Sequence, residues 1–208
     1  MTASLLPAET SLGLPVSVAL WYFVLMNLPL KHMTAEEFAA WAMRQETGRY
    51  ELIDGVVVAM NAERLEHARA KTRILFAFMA AIERSGVMAE ALPDGVAIKI
   101  NNRKVYEPDC LVRCGTPLGG EVVLVTDPVI VVEVLSPSTG PVDLSDKLIG
   151  YFTVPTIQHY LIANLNNRLV LHYSRSPEGE PTMKTIRRGE IDLDPPGLKV
   201  AVDSFFPQ

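Results

Sequence analysis

Cysteine is almost missing from this sequence, which holds only Cys110 and Cys114 among its 208 residues. The two lie in one short segment, with no second pair and no cluster of histidines beside them. A structural zinc site takes four such ligands, so this pair is too small to build one. We therefore expect two reduced thiols in the core of a cytoplasmic protein.

An excess of positive charge is missing as well. The chain has 19 lysines and arginines against 24 aspartates and glutamates, for a net charge of −5. Such a balance gives no overall field that would attract nucleic acid, so binding to DNA would depend on a local basic patch. The best such patch consists of Lys99, Arg103 and Lys104. It could contact phosphates, or it could be the solvated tip of a hairpin.

Charged residues are also absent between positions 10 and 30, where the chain is mostly apolar. This stretch is just long enough to cross a bilayer. Two prolines interrupt it, however, and the basic region that begins a signal peptide does not precede it. We expect residues 1–32 to be an extension outside the core fold, with Met26 as the natural start of the protein. A packed arm or dimer contact and a membrane anchor are the alternatives.

The rest of the chain has the size and composition of one α/β domain. Hydrophobic residues make up 49% of the sequence, which supports a packed interior. A chain of this length leaves little room for two domains. We therefore expect residues 33–208 to form a single domain.

Hydrophobic spacing predicts three helices. The first follows a capping box formed by Thr34 and Glu37 and ends near Gly48. The second spans residues 64–85 and has one apolar face, and the third spans residues 141–152. On the second helix, His67 and Lys71 lie one turn apart, so they face together either toward an acidic site or toward solvent.

Segments rich in β-forming residues predict the strands. Asp54-Gly55 between two such segments indicates a two-residue hairpin. We expect His159 and His172 to be sheet residues rather than ligands. Beyond the hairpin, strands are predicted at residues 87–92, 96–100, 105–112, 122–125, 128–134, 158–163, 168–174, 183–187 and 198–202.

The apolar run from Pro128 to Val134 predicts a strand that is buried on both faces. Glu133 lies inside this run. A buried carboxylate is costly unless it is paired or binds a metal. Glu133 therefore belongs either to an internal ion pair or to a functional site.

Two other segments favour a functional site. If Asp109 lies on a neighbouring strand, it brings a second carboxylate, and such oxygen ligands bind hard divalent cations. Asp143, Lys147 and Tyr151 follow at intervals of four, so they share one face of the third helix. That face could return an ammonium group to the acids. Two acids, a metal ion and a lysine are what hydrolysis of a phosphodiester requires.

These segments resemble the motifs of a known family in both order and spacing. The family is the Uma2 family of restriction endonucleases, a branch of the PD-(D/E)XK nuclease superfamily, and the resemblance covers residues 33–205. The similar motifs are Pro108-Asp109, Glu133 within Val-Val-Glu-Val-Leu-Ser-Pro-Ser-Thr, Asp143-x-x-x-Lys147-x-x-x-Tyr151 and, upstream, Tyr50-Glu51-Leu52-Ile53-Asp54-Gly55.

The resemblance implies a restriction-endonuclease-like α/β fold, with a mixed, twisted central sheet flanked by helices. It also implies metal-dependent cleavage of DNA. Asp109, Glu133 and Glu51 would bind Mg²⁺ or Mn²⁺, and Lys147 would orient the attacking water and stabilise the transition state. Further residues would support these groups, namely His67, Asp143 and Tyr151.

One position departs from the superfamily pattern. The lysine of that pattern stands two residues after the second acid, where this chain has Leu135, so the resemblance assigns the amine to Lys147 from the following helix. The departure and the acidic total charge favour an alternative, a binding or scaffold module that keeps the fold without turnover, as a homodimer or tethered to a membrane. A hydrolase of a non-nucleic phosphoester is a third possibility.

Overall fold

The computed structural model describes residues 31–135 and 141–206, and within the second range it describes side chains from Leu144 onward. Three α-helices lie in this part of the chain: α1 (Ala35–Ala42), α2 (Leu65–Ser85) and α3 (Pro141–Thr153). A 3₁₀ helix, Val202–Phe205, follows the last strand. The capping box at the start of α1 is present as predicted, although α1 ends earlier than expected.

The same part of the chain contains thirteen strands. In chain order they are β1 (Tyr50–Ile53), β2 (Val56–Ala59), β3 (Ala89–Pro93), β4 (Ala97–Asn101), β5 (Lys104–Tyr106), β6 (Cys110–Cys114), β7 (Leu124–Val125), β8 (Pro128–Leu135), β9 (His159–Asn164), β10 (Leu169–Arg175), β11 (Pro181–Ile186), β12 (Glu190–Leu193) and β13 (Leu198–Ala201).

The larger sheet has six strands in the order β11-β10-β9-β8-β6-β3. Its strands are antiparallel except for the parallel pair β8 and β9, which α3 connects. β8 therefore lies inside the sheet, with Ile130, Val131 and Val132 fully buried, as the apolar run predicts. This mixed sheet confirms the predicted α/β fold class.

A second sheet of five strands follows the order β2-β1-β5-β4-β7. The predicted hairpin joins β1 to β2, and both turn residues, Asp54 and Gly55, have positive φ angles of 50° and 87°. That geometry suits the tight two-residue turns of antiparallel hairpins. The sheet supplies Glu51, which lies on β1.

Alternation along β8 divides its side chains between two apolar clusters. Ile130, Val132 and Val134 join Ile74 and Phe78 of α2 in one cluster. Val131 lies in the other cluster, with Tyr151 of α3 and Ile98 of β4. Because successive residues of a strand point to opposite faces, Glu133 shares the face of Val131 and points toward α3.

The structure corrects two details of the predicted sheet. The expected strand 105–112 is broken at Glu107-Pro108-Asp109, so that β5 belongs to the five-stranded sheet and β6 to the six-stranded sheet. Proline has no N–H to donate, which suits it to such a break. The last predicted strand, β13, does not extend the main sheet but pairs with β12 in a ribbon that packs on α2.

The predicted N-terminal extension, residues 1–32, lies outside the described residues except for Lys31 and His32. The ring of His32 is hydrogen-bonded to the Asp54 carbonyl in the β1–β2 turn. Of the helices in the described ranges, none combines the length and apolar character needed to span a membrane. Both cysteines are free thiols, as predicted, and burial raises the pKa of Cys110.

Candidate active site

Lys147 brings two carboxylates together. Its amine nitrogen Nζ lies 2.9 Å from Oε1 of Glu133 and 3.1 Å from Oε1 of Glu51. Only 11% of the lysine side chain is exposed. The structure thus gathers three of the sequence-selected residues, which come from α3, β8 and β1.

Tyr151 holds Glu133 from the same helix as Lys147. Its hydroxyl donates to Oε1 of Glu133 over 2.7 Å. The ring is fully buried and packs edge-on against Tyr106 and at a tilt against Tyr160. Burial, and then the charge of Glu133, raise the pKa of Tyr151 well above its ordinary value, so the hydroxyl keeps its proton and remains a donor.

A glycine allows α3 to approach the five-stranded sheet. A Cβ atom at Gly150 would lie 2.6 Å from Cε2 of Tyr106, closer than real Cβ atoms come to other atoms. The amine of Lys147 lies 5.8 Å from the centroid of the same Tyr106 ring, within the range of a cation–π contact. The absence of a side chain at position 150 therefore lets Lys147 and Tyr151 reach the acids.

Asp109 lies beside these groups and is anchored through both oxygens. The backbone N–H of Val134 donates to its Oδ2 over 2.6 Å, and the amine of Lys71 lies 2.8 Å from its Oδ1. Val134 directly follows Glu133, and the negative charge of Asp109 contributes to raising the pKa of Glu133. Asp109 and Glu133 therefore act on each other across β6 and β8.

Lys71 lies among three carboxylates. Besides Asp109, its amine is 2.6 Å from Glu63 and 3.1 Å from Asp94. Burial alone would lower the pKa of Lys71, but Asp109 and the other acids raise it above its ordinary value. The sequence leaves open whether this face of α2 meets an acidic site or solvent. For Lys71 the structure shows the acidic site.

Glu107 lies in the same loop as Asp109, but it pairs with Arg49 and not with Lys71. Arg49 donates to Glu107 and also, over 2.9 Å, to Asp94. The backbone N–H of Glu107 donates over 2.9 Å to Oε1 of Glu51. The broken strand thus fixes the Glu51 carboxylate on one side and links it to the acids around Lys71 on the other.

His67 has both ring nitrogens engaged. Nε2 lies 2.6 Å from the carbonyl oxygen of Val134, and Nδ1 lies 2.7 Å from Oε1 of Glu63. His67 thereby ties the start of α2 to β8 next to Glu133.

Burial shapes the electrostatics around Glu133. It raises the pKa of this carboxyl to about 7, and Asp109 and Glu51 add to the increase while Lys147 opposes it. Burial alone would lower the pKa of Lys147, but Glu133 and Glu51 raise it above its ordinary value. The result is a lysine that keeps its charge beside crowded acids.

The site contains more acid than base. Among the described residues linked by these contacts, the permanent cations are Arg49, Lys71 and Lys147, whereas the carboxylates are Glu51, Glu63, Asp94, Glu107, Asp109 and Glu133. Hard divalent cations take oxygen ligands of this type, and a bound ion would reduce the excess negative charge. The donor chemistry therefore fits Mg²⁺ or Mn²⁺.

The tightest group of ligand atoms differs from the predicted one. One atom each of Glu63, His67 and Asp109 lie within 4.8 Å of one another, and in the ranges that the structure describes no other such group of three is found. Glu51 and Glu133 instead flank the amine of Lys147. Asp109 is the acid that this group shares with the predicted metal ligands.

The remaining predicted residues have other surroundings. The side chain of Asp143 lies outside the described residues. Lys99 is paired with Glu36, Lys104 lies 3.3 Å from Asp54, and Arg103 donates to the Asp54 carbonyl. This basic patch therefore has acceptors within the protein, on α1 and around the β1–β2 turn.

Sequence reasoning missed several of the charged residues in the site. Arg49, Glu63 and Asp94 have no role in the site predicted from the sequence. Arg49 directly precedes the motif that contains Glu51, and Glu63 stands one helical turn before His67. These positions next to the motifs are the signal that could have pointed to Arg49 and Glu63. Their role depends on ion-pair partners that are far apart in sequence.

Comparison with known proteins agrees with the fold. The chain resembles a solved structure described as a "putative nuclease belonging to DUF820" from Anabaena variabilis, with a TM-score of 0.66 and 14% identity. The match covers 83% of this chain and 97% of the other. At that identity the likeness concerns the fold alone, and it agrees with the α/β architecture described above.

The family follows from the sequence matches. A model of the Uma2 family, described as "Putative restriction endonuclease", matches residues 35–203. The chain belongs to the Uma2 family, as the motifs predict. It is also 28% identical over 182 residues to "Uncharacterized protein slr1290" of Synechocystis sp., covering 86% of this chain and 94% of that protein.

Proposed function

We propose that this protein is an endonuclease that hydrolyses DNA phosphodiester bonds with Mg²⁺ or Mn²⁺. The observation that carries the proposal is the convergence of Glu51, Glu133 and Lys147, with Asp109 beside Glu133. Membership of a family described as restriction endonucleases supports the choice of reaction and substrate.

Three acids would hold the metal. Asp109 and Glu133 would bind it directly, and Glu51 would bind it directly or through water. Each oxygen of Asp109 accepts one hydrogen bond or ion pair in the structure, so each keeps a second lone pair for a ligand. When bound, the divalent cation supplies a Lewis acid that activates water and offsets the charge of the phosphate.

Lys147 has the main role among the basic residues. Its ammonium, held between Glu51 and Glu133, would orient the attacking water and stabilise the negative charge that develops on the phosphate. Tyr151 would keep Oε1 of Glu133 in place through its hydrogen bond. Asp143, on the same helix, is proposed to support Lys147.

DNA would approach the start of α2. His67 fixes this end of the helix beside β8, and the exposed residues Arg64 and Arg69 lie on its first turns. Arginine side chains in such positions can pair with backbone phosphates independently of sequence. We expect these contacts to compensate for the acidic net charge.

Cleavage of supercoiled plasmid with Mn²⁺ tests the proposal. We expect Lys147→Met and Glu133→Gln to lower the cleavage rate by ~100-fold or more, because each removes a charge from the reacting centre. Lys199→Met, at an exposed lysine of β13, is the matched control and should cut like the wild type. Circular dichroism would show that each variant is folded.

Three outcomes would contradict the proposal in different ways. Equal cutting by all four proteins would remove the assigned roles and point to a contaminating nuclease. Hydrolysis of a small phosphodiester such as bis(p-nitrophenyl) phosphate, with DNA left intact, would move the substrate to non-nucleic phosphoesters. Absence of both Mn²⁺ binding and hydrolysis would identify a binding module with a nuclease fold.

A further inference from the structure

An ammonium group lies beside the group of three clustered ligand atoms found in the described part of the chain. Lys71 places its amine 2.6 Å from Glu63, 2.8 Å from Asp109 and 3.1 Å from Asp94. Only 8% of the lysine side chain is exposed. Glu63 and Asp109 are also two of the three residues whose ligand atoms lie within 4.8 Å of one another.

The third member of that group, His67, is engaged on both sides of its ring. Its nitrogens contact the Val134 carbonyl and Glu63, so neither points freely toward a ligand. Lys71 therefore supplies the cation of this cluster, with its amine in contact with Glu63, Asp94 and Asp109. A divalent ion could occupy the same place only by displacing that amine, because like charges repel strongly at such distances.

We propose that Lys71 is a positioning residue that serves as a built-in second cation beside Asp109. It holds Oδ1 of Asp109 and occupies the point on which Glu63, Asp94 and Asp109 converge. Its removal opens a latent second metal site made of these three carboxylates. The location of the first ion rests on the proposed function, whereas the effect of removing Lys71 does not.

Counting bound Mn²⁺ tests this inference without any activity measurement. Electron paramagnetic resonance of free Mn²⁺, with calorimetric titration, would be applied to the full chain after removal of metals by chelation. We expect one ion per chain in the wild type and two in Lys71→Met, which keeps the length of the side chain without its charge. Lys199→Met is the matched control and should bind one ion.

A second substitution locates the added ion. In the Lys71→Met background, Glu63→Gln removes a ligand of the latent site and should return the count to one ion per chain. Lys71→Arg, which keeps the positive charge, should also bind one. A purely structural role for Lys71 would leave the count unchanged in every variant.

The outcomes separate this inference from the proposed function. Equal Mn²⁺ counts in Lys71→Met and the wild type would overturn the role of Lys71. A wild type that binds no Mn²⁺, or whose ion survives Glu133→Gln, would overturn the proposed metal site, yet a gain of one ion in Lys71→Met would still support the inference. If Lys71→Met is unfolded without metal, Mn²⁺ should restore its circular dichroism spectrum, and failure to do so would count against the inference.

Discussion

Lys147 and Glu133 form a buried ion pair of 2.9 Å although 14 positions separate them in the sequence. Glu133 lies near the end of β8, and α3 turns back over the same edge, so that its second turn meets the strand it follows. The side chains are 11% and 13% exposed. In such a setting, loss of Lys147 leaves two buried carboxylates, Glu133 and Glu51, without the ammonium that offsets their charge.

We expect Lys147→Met to lower the free energy of unfolding by about 3–5 kcal/mol, the usual effect of breaking a buried pair. The double variant Lys147→Met/Glu133→Gln should lose less than the sum of the two single variants, because the charge of Glu133 is removed together with its partner and only Glu51 then loses its contact with the amine. Urea unfolding at pH 7 measures all three. Strict additivity would show that the two residues do not interact.

Gly150→Ala tests the close approach of α3 to Tyr106. Within an exposed helix, this change would stabilise the protein by about 1 kcal/mol. Here the new Cβ would meet the buried Tyr106 ring at 2.6 Å, so we expect the opposite sign, a loss of about 1–3 kcal/mol. Gly119→Ala is the control, since no atom lies within 4 Å of its added Cβ. An unchanged urea midpoint for Gly150→Ala would contradict this packing.

Because His172 is buried, we expect the free energy of unfolding of the protein to fall in mild acid. It donates or accepts a hydrogen bond of 2.9 Å with His159, which in turn contacts the Pro195 carbonyl. Burial, then the charges of His159 and Lys184, lower the pKa of His172 from 6.5 to about 4. The unfolded chain therefore takes up a proton at higher pH than the folded chain, and stability declines as the pH falls from 6.5 toward 4.

The expected contribution is about 2 kcal/mol between pH 7 and pH 5. His172→Gln should remove most of it, so that the variant loses less stability than the wild type over this interval. His32→Gln, at an exposed histidine, is the matched control. Urea unfolding at both pH values measures this difference. Identical pH dependence in the wild type and His172→Gln would show that His172 is not the source of the loss.

At position 113, arginine and lysine should differ in how much they stabilise the protein. Its guanidinium makes paired contacts of 3.1 and 2.8 Å with Asp127 and further contacts with Glu90 and the Thr116 carbonyl. Lysine keeps the charge but cannot form this fork. We expect Arg113→Lys to lower the free energy of unfolding by about 1–3 kcal/mol, measured in urea. Arg64→Lys, at an exposed position, should have no measurable effect.

Local patterns explain most of what could be predicted. The spacing of apolar residues predicts α2 almost to its ends, the Asp54-Gly55 dipeptide predicts the hairpin, and the continuous apolar run predicts the buried strand β8. The family motifs direct attention to Lys147, whose amine reaches Glu51 and Glu133. These features depend on neighbours in sequence or on motifs with fixed spacing.

What could not be predicted depends on pairing between distant segments. Residues 105–112 have the alternation of a single strand, and nothing in that pattern tells that β5 and β6 join different sheets. The partners of Lys71 come from a loop, a turn and the break between β5 and β6, 8 to 38 positions away. A charged residue of a helix reads as solvent-exposed until these partners are placed around it.

The acids of the site belong to different sheets: Glu51 comes from the five-stranded sheet, whereas Glu133 lies in the six-stranded one. Lys147 of α3 crosses this boundary, because its amine contacts both carboxylates. The groups proposed to carry out the chemistry thus also connect the two sheets. Replacing them would therefore weaken the contact between the sheets as well as the proposed site.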